Sequence, residues 1–282
     1  MPISEVEKYR EFLRRFRLLI GKNPNLIKIV LSNVFTMRLV GNKTHGDLAE
    51  VAITEFINQY MYDYKAEHIG KEKFRSKEFE EDIKVIDEIK GLEFFISIKA
   101  YGHGPLQLST DKKFVMFPKL KNFMGRRKVV SGNNEIRKIL ESDEFKHLES
   151  LNILPLIYDE ERKKCNIMVF DFEKAKNEVE FIKLESEGRN RKHPVFRFYN
   201  SSNEYICEVR YGGKEANALQ RGFWTHTKNA ERYFDSLTNG WVDYSDNETL
   251  IILFKYALIS SEKGHDRAKD ILYEDILKLR RM

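Results

Sequence analysis

The stretch Asp82–Asp111, DIKVIDEIKGLEFFISIKAYGHGPLQLSTD, decides the fold. It predicts a β-hairpin: a first arm over Asp82–Ile86, a turn within Asp87–Gly91 and a second arm over Leu92–Ala100. The second arm alternates, with Leu92, Phe94, Ile96 and Ile98 on a core face and Glu93, Phe95, Ser97 and Lys99 on the other. With the turn centred near residues 89–90, Asp82 falls across the ladder from about Ser97, within side-chain reach of Lys99. After Lys99 comes Ala100-Tyr101-Gly102-His103-Gly104-Pro105, where two glycines and a proline break regular structure and let backbone approach a ligand.

Upstream of the hairpin the period is helical. Residues 4–20 predict an amphipathic helix with Ser4 and Glu7 at capping-box spacing, an apolar face of Tyr9, Phe12, Leu13 and Phe16, and a polar face with Arg10, Arg14, Arg15 and Arg17. A second helix is expected around Leu26–Leu39 and a third over Asp47–Tyr60. Asp47, Glu50 and Thr54 share one polar stripe of that third helix, from which Glu50 points toward the hairpin. Residues 65–81 read as a polar connector or exposed helix, and the basic run Lys119–Lys128 as a surface segment.

Downstream, a helix over Asn134–Leu140 precedes strands near Leu151–Tyr158, Cys165–Phe172 and Val179–Leu184. A second hairpin joins Val195–Tyr199 to Glu204–Tyr211 through Asn200-Ser201-Ser202-Asn203. In residues 209–234 polar groups that can contact base edges (Arg210, Lys214, Asn217, Gln220, Arg221, Thr225, His226 and Lys228) alternate with Tyr211, Phe223 and Trp224. Leu250–Leu279 reads as two amphipathic helices broken at Gly264. The order of elements predicts one α/β domain, a mixed β-sheet flanked by helices with a helical C-terminal part over 248–282.

Composition narrows the function. The 282 residues carry 49 Lys and Arg against 44 Asp and Glu, a net charge of +5 that suits a polyanionic partner without requiring one. Cys165 and Cys207 stand alone, with no zinc or disulfide spacing, as in a reducing compartment; the charged N-terminus lacks an apolar signal core, and no run is long enough for a membrane span. A cytoplasmic setting is expected. There is no phosphate loop, dinucleotide fingerprint or nucleophile elbow, and none of the 7 histidines pairs at ligand spacing. What remains is Asp82 and Lys99, with Glu50 or Asp111 in support: hard oxygen donors that suit Mg²⁺, beside an ammonium that can serve an attacking water or a phosphorane.

In this setting the hairpin resembles the PD-(D/E)xK nuclease superfamily, specifically type II restriction endonucleases. Asp82 matches the motif's aspartate, Lys99 its lysine, and Glu50 in GDLAEVAITEFI the glutamate of the upstream helix. The run YGGKEANALQRGFWTHT is similar to segments of bacterial restriction enzymes. Two departures stand out: Ser97 occupies the acidic position of (D/E)xK, and Glu81-Asp82 replaces Pro-Asp. The resemblance covers residues 46–111 and, more loosely, 205–230. It implies a restriction-endonuclease-like core over about 46–130, a DNA-recognition segment over about 195–235, and a Mg²⁺-dependent, sequence-specific double-stranded DNA endonuclease acting as a homodimer. Asp82 and Glu50, or Asp111, are then expected at the metal, Lys99 at the water, and Ser97 and Gln107 in support. Two other readings stay open: a structure-specific repair or recombination nuclease, and a non-catalytic DNA-binding protein with a degenerate core.

Overall fold

In a computed structural model the chain is described over residues 5–28, 30–31, 45–69, 82–151, 153–159, 161–185, 193–211, 221–243, 245, 273–274 and 277. In chain order the first elements are helices α1 (Glu5–Lys22) and α2 (His45–Tyr60), then strands β1 (Tyr64–His68), β2 (Ile83–Asp87), β3 (Leu92–Tyr101) and β4 (Pro105–Thr110). Helix α3 (Met116–Met124), strand β5 (Val129–Ser131) and helices α4 (Asn133–Leu140) and α5 (Asp143–Lys146) follow. Next come β6 (Ile153–Asp159), β7 (Lys164–Phe170), α6 (Phe172–Glu178), β8 (Phe181–Glu185), β9 (Val195–Tyr199) and β10 (Tyr205–Arg210). The described elements end with β11 (Gly222–His226), α7 (Ala230–Tyr233), β12 (Phe234–Ser236) and β13 (Val242–Asp243). The class is α/β, with a mixed sheet and a second, antiparallel sheet flanked by helices. Among the described residues no helix is long and apolar enough to cross a membrane.

The chain divides into two compact units, each assembled from separated segments. The first comprises Met1–Ala100, Leu156–Ile167 and Leu237–Met282. Its sheet runs in the order β1-β2-β3-β6-β7, with β13 set against the start of β7 at Val242↔Cys165. The hairpin register is Ile83↔Ile96, Val85↔Phe94 and Asp87↔Leu92, so the turn falls at residues 88–91, as its sequence predicts. Asp87 closes that turn by accepting the backbone N–H groups of Ile89 and Lys90.

Alternation makes one face of β1–β3 apolar, and α1 and α2 cover it. Phe12 packs edge-on against Tyr64 and Phe94, with ring centroids 5.5 Å away in each case, and Phe16 meets Phe56 of α2 at 5.4 Å. Phe12 and Phe16 are fully buried; burial contributes about 2 kcal/mol for each such side chain, which is why the helical period of α1 selects this face. On the other side of α1, Glu11 bridges Arg14 and Arg15, and those guanidinium groups pull its carboxyl down to about 2.

Three regions differ from the sequence reading. Tyr64–His68 is a strand and not part of a polar connector: only Tyr64 and Ala66 turn inward, and the antiparallel partner β2 supplies its hydrogen bonds. Residues 116–124 form a helix that buries Met116, Phe117, Leu120 and Met124 and exposes Lys121 and Asn122, so the basic run is not wholly a surface segment. Pro118 is tolerated there because it sits in the first turn, where no intrahelical N–H is needed. The strand expected over Cys165–Phe172 ends at Phe170, and Phe172–Glu178 forms a helix. The second predicted helix is described only at its start, and most of the C-terminal helical stretch lies outside the described residues.

The second unit comprises Tyr101–Pro155 and Met168–Ser236. It is built on an antiparallel sheet in the order β4-β11-β10-β9-β8-β5. Its core face carries Phe196, Phe198, Val209 and Phe223; Phe117 of α3 lies 4.7 Å from Phe196, and Phe172 of α6 meets Phe223 edge-on at 5.8 Å. Gly222 is fixed by geometry: its φ is +128°, and a Cβ there would fall 2.0 Å from the Ser109 carbonyl oxygen.

Candidate active site

The hairpin places Asp82, Ser97 and Lys99 on one face. Asp82 immediately precedes β2, and its N–H donates to the Ile96 carbonyl, extending the ladder by one residue. That sets its side chain opposite Ser97. Asp82 Oδ2 accepts the Ser97 hydroxyl at 2.9 Å and the Ile98 backbone N–H at 2.7 Å, and Lys99 Nζ lies 4.0 Å from the same oxygen. The lysine and aspartate side chains are 29% and 20% exposed, so the pair faces solvent without being dispersed by it. Two donors on one oxygen fix the carboxylate's rotation, while Oδ1 accepts no hydrogen bond among the described residues. Ser97, at the motif's acidic position, therefore orients the aspartate. The Ile98 N–H does the same, and no side-chain motif reveals it.

Glu50 is brought to a different partner. It is buried on α2, and its Oε2 lies 3.0 Å from His68 Nε2 at the end of β1. His68 stands opposite Ile83 in the ladder and is exposed at the end of β1. Glu50 is thus tied to His68. His68 is unnoticed in the sequence because its strand is.

Asp111 and Gln107 belong to the second unit. Asp111 is a helix-capping carboxylate: its two oxygens accept the Val115 and Met116 N–H groups, at 2.8 and 2.9 Å. Gln107 is buried and donates to the Arg221 carbonyl at 2.9 Å. Both side chains are occupied in structural bonds. No protein-family profile matches the chain, and no curated protein or solved structure matches it.

A Mg²⁺ ion takes one or two carboxylates and completes its shell with water and phosphate oxygens. The Asp82 group fits that demand through Oδ1. It does not offer an all-protein cage, and among the described residues no three His, Cys, Asp or Glu side chains gather as a metal-holding group.

Of the expected recognition residues, Lys214, Asn217 and Gln220 lie outside the described residues. Thr225 is fully buried with its hydroxyl donated to the Ile206 carbonyl, so it is not presented to a base. Arg210 stacks over Trp224 at 4.0 Å and pairs with the buried Glu208. Arg221 lies over the Phe114 ring at 5.5 Å. His226 accepts the Lys228 N–H at Nδ1 and meets His103 edge-on at 5.1 Å. Burial, then the neighbouring His103 and Lys228, hold the His226 pKa below its ordinary value.

Proposed function

We propose that this protein is a Mg²⁺-dependent DNA endonuclease of the type II restriction class, with Asp82 and Lys99 as its catalytic pair. One observation carries the reading: across a single hairpin, a carboxylate with one oxygen clamped by Ser97 and Ile98 lies 4.0 Å from a lysine. Asp82 Oδ1 would hold the ion, and Mg²⁺ would supply Lewis-acid polarisation of the scissile phosphate and charge neutralisation at the leaving oxygen. Lys99 reaches the same phosphate, where its ammonium stabilises charge on the equatorial oxygens and orients the incoming water. Ser97 and Ile98 hold the carboxylate in one rotation, which removes a reorganisation cost from the chemical step. Arg210, Arg221, His226 and Lys228, together with Lys214, Asn217 and Gln220, form the DNA-contacting group, and two-fold symmetric targets call for a homodimer.

The absence of an acidic side chain at Ser97 favours a second reading, a DNA-binding protein whose nuclease core has lost its chemistry. Incubating the purified protein with plasmid DNA and Mg²⁺, with an EDTA control, separates the two. Discrete, EDTA-sensitive fragments support the endonuclease. Cuts confined to branched DNA point to a structure-specific nuclease, and binding without cleavage to the degenerate core.

A further inference from the structure

The outward face of the antiparallel sheet carries a ladder of rings and cations of which the cleavage reading uses only Arg210 and Lys228. The register aligns Phe181 with Tyr199, Lys183 with Arg197, and Glu208 with Trp224, so these half-exposed or buried side chains form one strip across β8, β9, β10 and β11. Phe181 and Tyr199 stack in parallel, with centroids 5.4 Å apart and planes 13° apart. Lys183 Nζ sits 4.9 Å and 4.8 Å from those two rings. Tyr205 has Arg197 at 5.8 Å and Lys228 at 5.5 Å, and Arg210 covers Trp224. Within the strip Arg197 pairs with Glu185 and Glu208, Arg210 pairs with Glu208, and Lys183 donates to the Asn203 side chain. The Trp224 indole Nε1 is buried and has no hydrogen-bond partner among the described residues.

We infer that this sheet face binds a single-stranded polynucleotide, with bases stacked on the aromatic and guanidinium planes and phosphates tracked by the lysines. The chemistry argues for a single strand over a duplex. A π-face is available only from an unstacked base, whereas a paired duplex offers its edges and phosphates. Cations set beside rings answer both parts of a nucleotide at once. A second protein copy would have to desolvate these charges, whereas the phosphates of a polyanion can meet Lys183 and Lys228 at the solvent side. The inference rests on the second unit alone and stands apart from cleavage by Asp82 and Lys99, which belong to the first.

The test is fluorescence anisotropy with a labelled oligothymidine of about 15 nucleotides at low salt, with an oligouridine arm to separate DNA from RNA and a duplex arm as competitor. The wild-type chain binds the single strand, more weakly as salt rises. Tyr199→Ala weakens binding about tenfold or more, Tyr199→Phe retains it, and Lys183→Ala lowers both affinity and salt dependence. Circular dichroism checks that each variant is folded. The inference is overturned if the wild-type chain prefers the duplex, or if Tyr199→Ala and Lys183→Ala, both folded, bind as tightly as wild type. Dissociation of a wild-type dimer by Tyr199→Ala without any loss of oligonucleotide binding also overturns it, by assigning the face to self-association.

Discussion

The bond between Ser97 and Asp82 can be isolated by a double-mutant cycle of Ser97→Ala and Asp82→Ala. A hydrogen bond to a charged acceptor contributes about 1.5–3 kcal/mol. Because the Asp82 side chain is 20% exposed, water replaces part of what is lost, and the coupling expected at this site is about 1.5 kcal/mol. The Ile98 N–H loses its acceptor in both species that lack Asp82, so its cost cancels in the cycle. Stability is read by urea unfolding followed through Trp241, which belongs to the same unit, in a Trp224→Phe background that silences the only other tryptophan. Independent sites add to within about 0.5 kcal/mol. Additivity of the two substitutions at that level would refute the claim that Ser97 clamps the aspartate.

Three further outcomes follow from other parts of the fold. Gly222→Ala forces a Cβ to within 2.0 Å of the Ser109 carbonyl at a φ of +128°; a loss of about 4 kcal/mol or more, seen as insoluble expression or an unfolded second unit, is expected. Glu208→Gln removes the buried carboxylate that pairs with Arg197 and Arg210; both arginines are about one-third exposed, so solvent moderates the cost to about 2 kcal/mol by chemical denaturation. Partial desolvation holds the His147 pKa below its ordinary value, with its Nε2 3.0 Å from the Ser109 hydroxyl. The unfolded chain therefore takes up the proton first. Stability from this group is complete above the unfolded histidine pKa of about 6.5 and declines as the pH falls toward the lower folded value. Urea midpoints of the second unit taken near pH 7.5 and near pH 5.5 check the sign, and His147→Gln is expected to shrink the difference.

The hairpin was legible because each level of its sequence agrees: alternation fixes the face, the Asp87–Gly91 turn fixes the register, and the register fixes the Asp82–Ser97 pairing. The helical period likewise marks α1 and α2, whose apolar residues have one sheet face to cover. Tyr64–His68 was not legible, since a strand with two inward residues is defined by its partner and not by its own pattern. The same limit applies to carboxylates. Nothing in the spacing of Asp111 distinguishes a ligand from a helix cap, and only the position of the Val115 and Met116 N–H groups decides it. Glu50 has the helical stripe expected of it, but which face of the sheet it reaches depends on the register between β1 and β2. The pairing of His103 with His226 joins positions that no linear spacing links.

The proposed cleavage of DNA by Asp82 and Lys99 is tested by supercoiled-plasmid cleavage with Lys99→Ala in Mg²⁺, run beside a DNA-binding assay on the same preparation. Loss of cleavage with DNA binding retained is the predicted result. Full cleavage by a folded Lys99→Ala protein would contradict it.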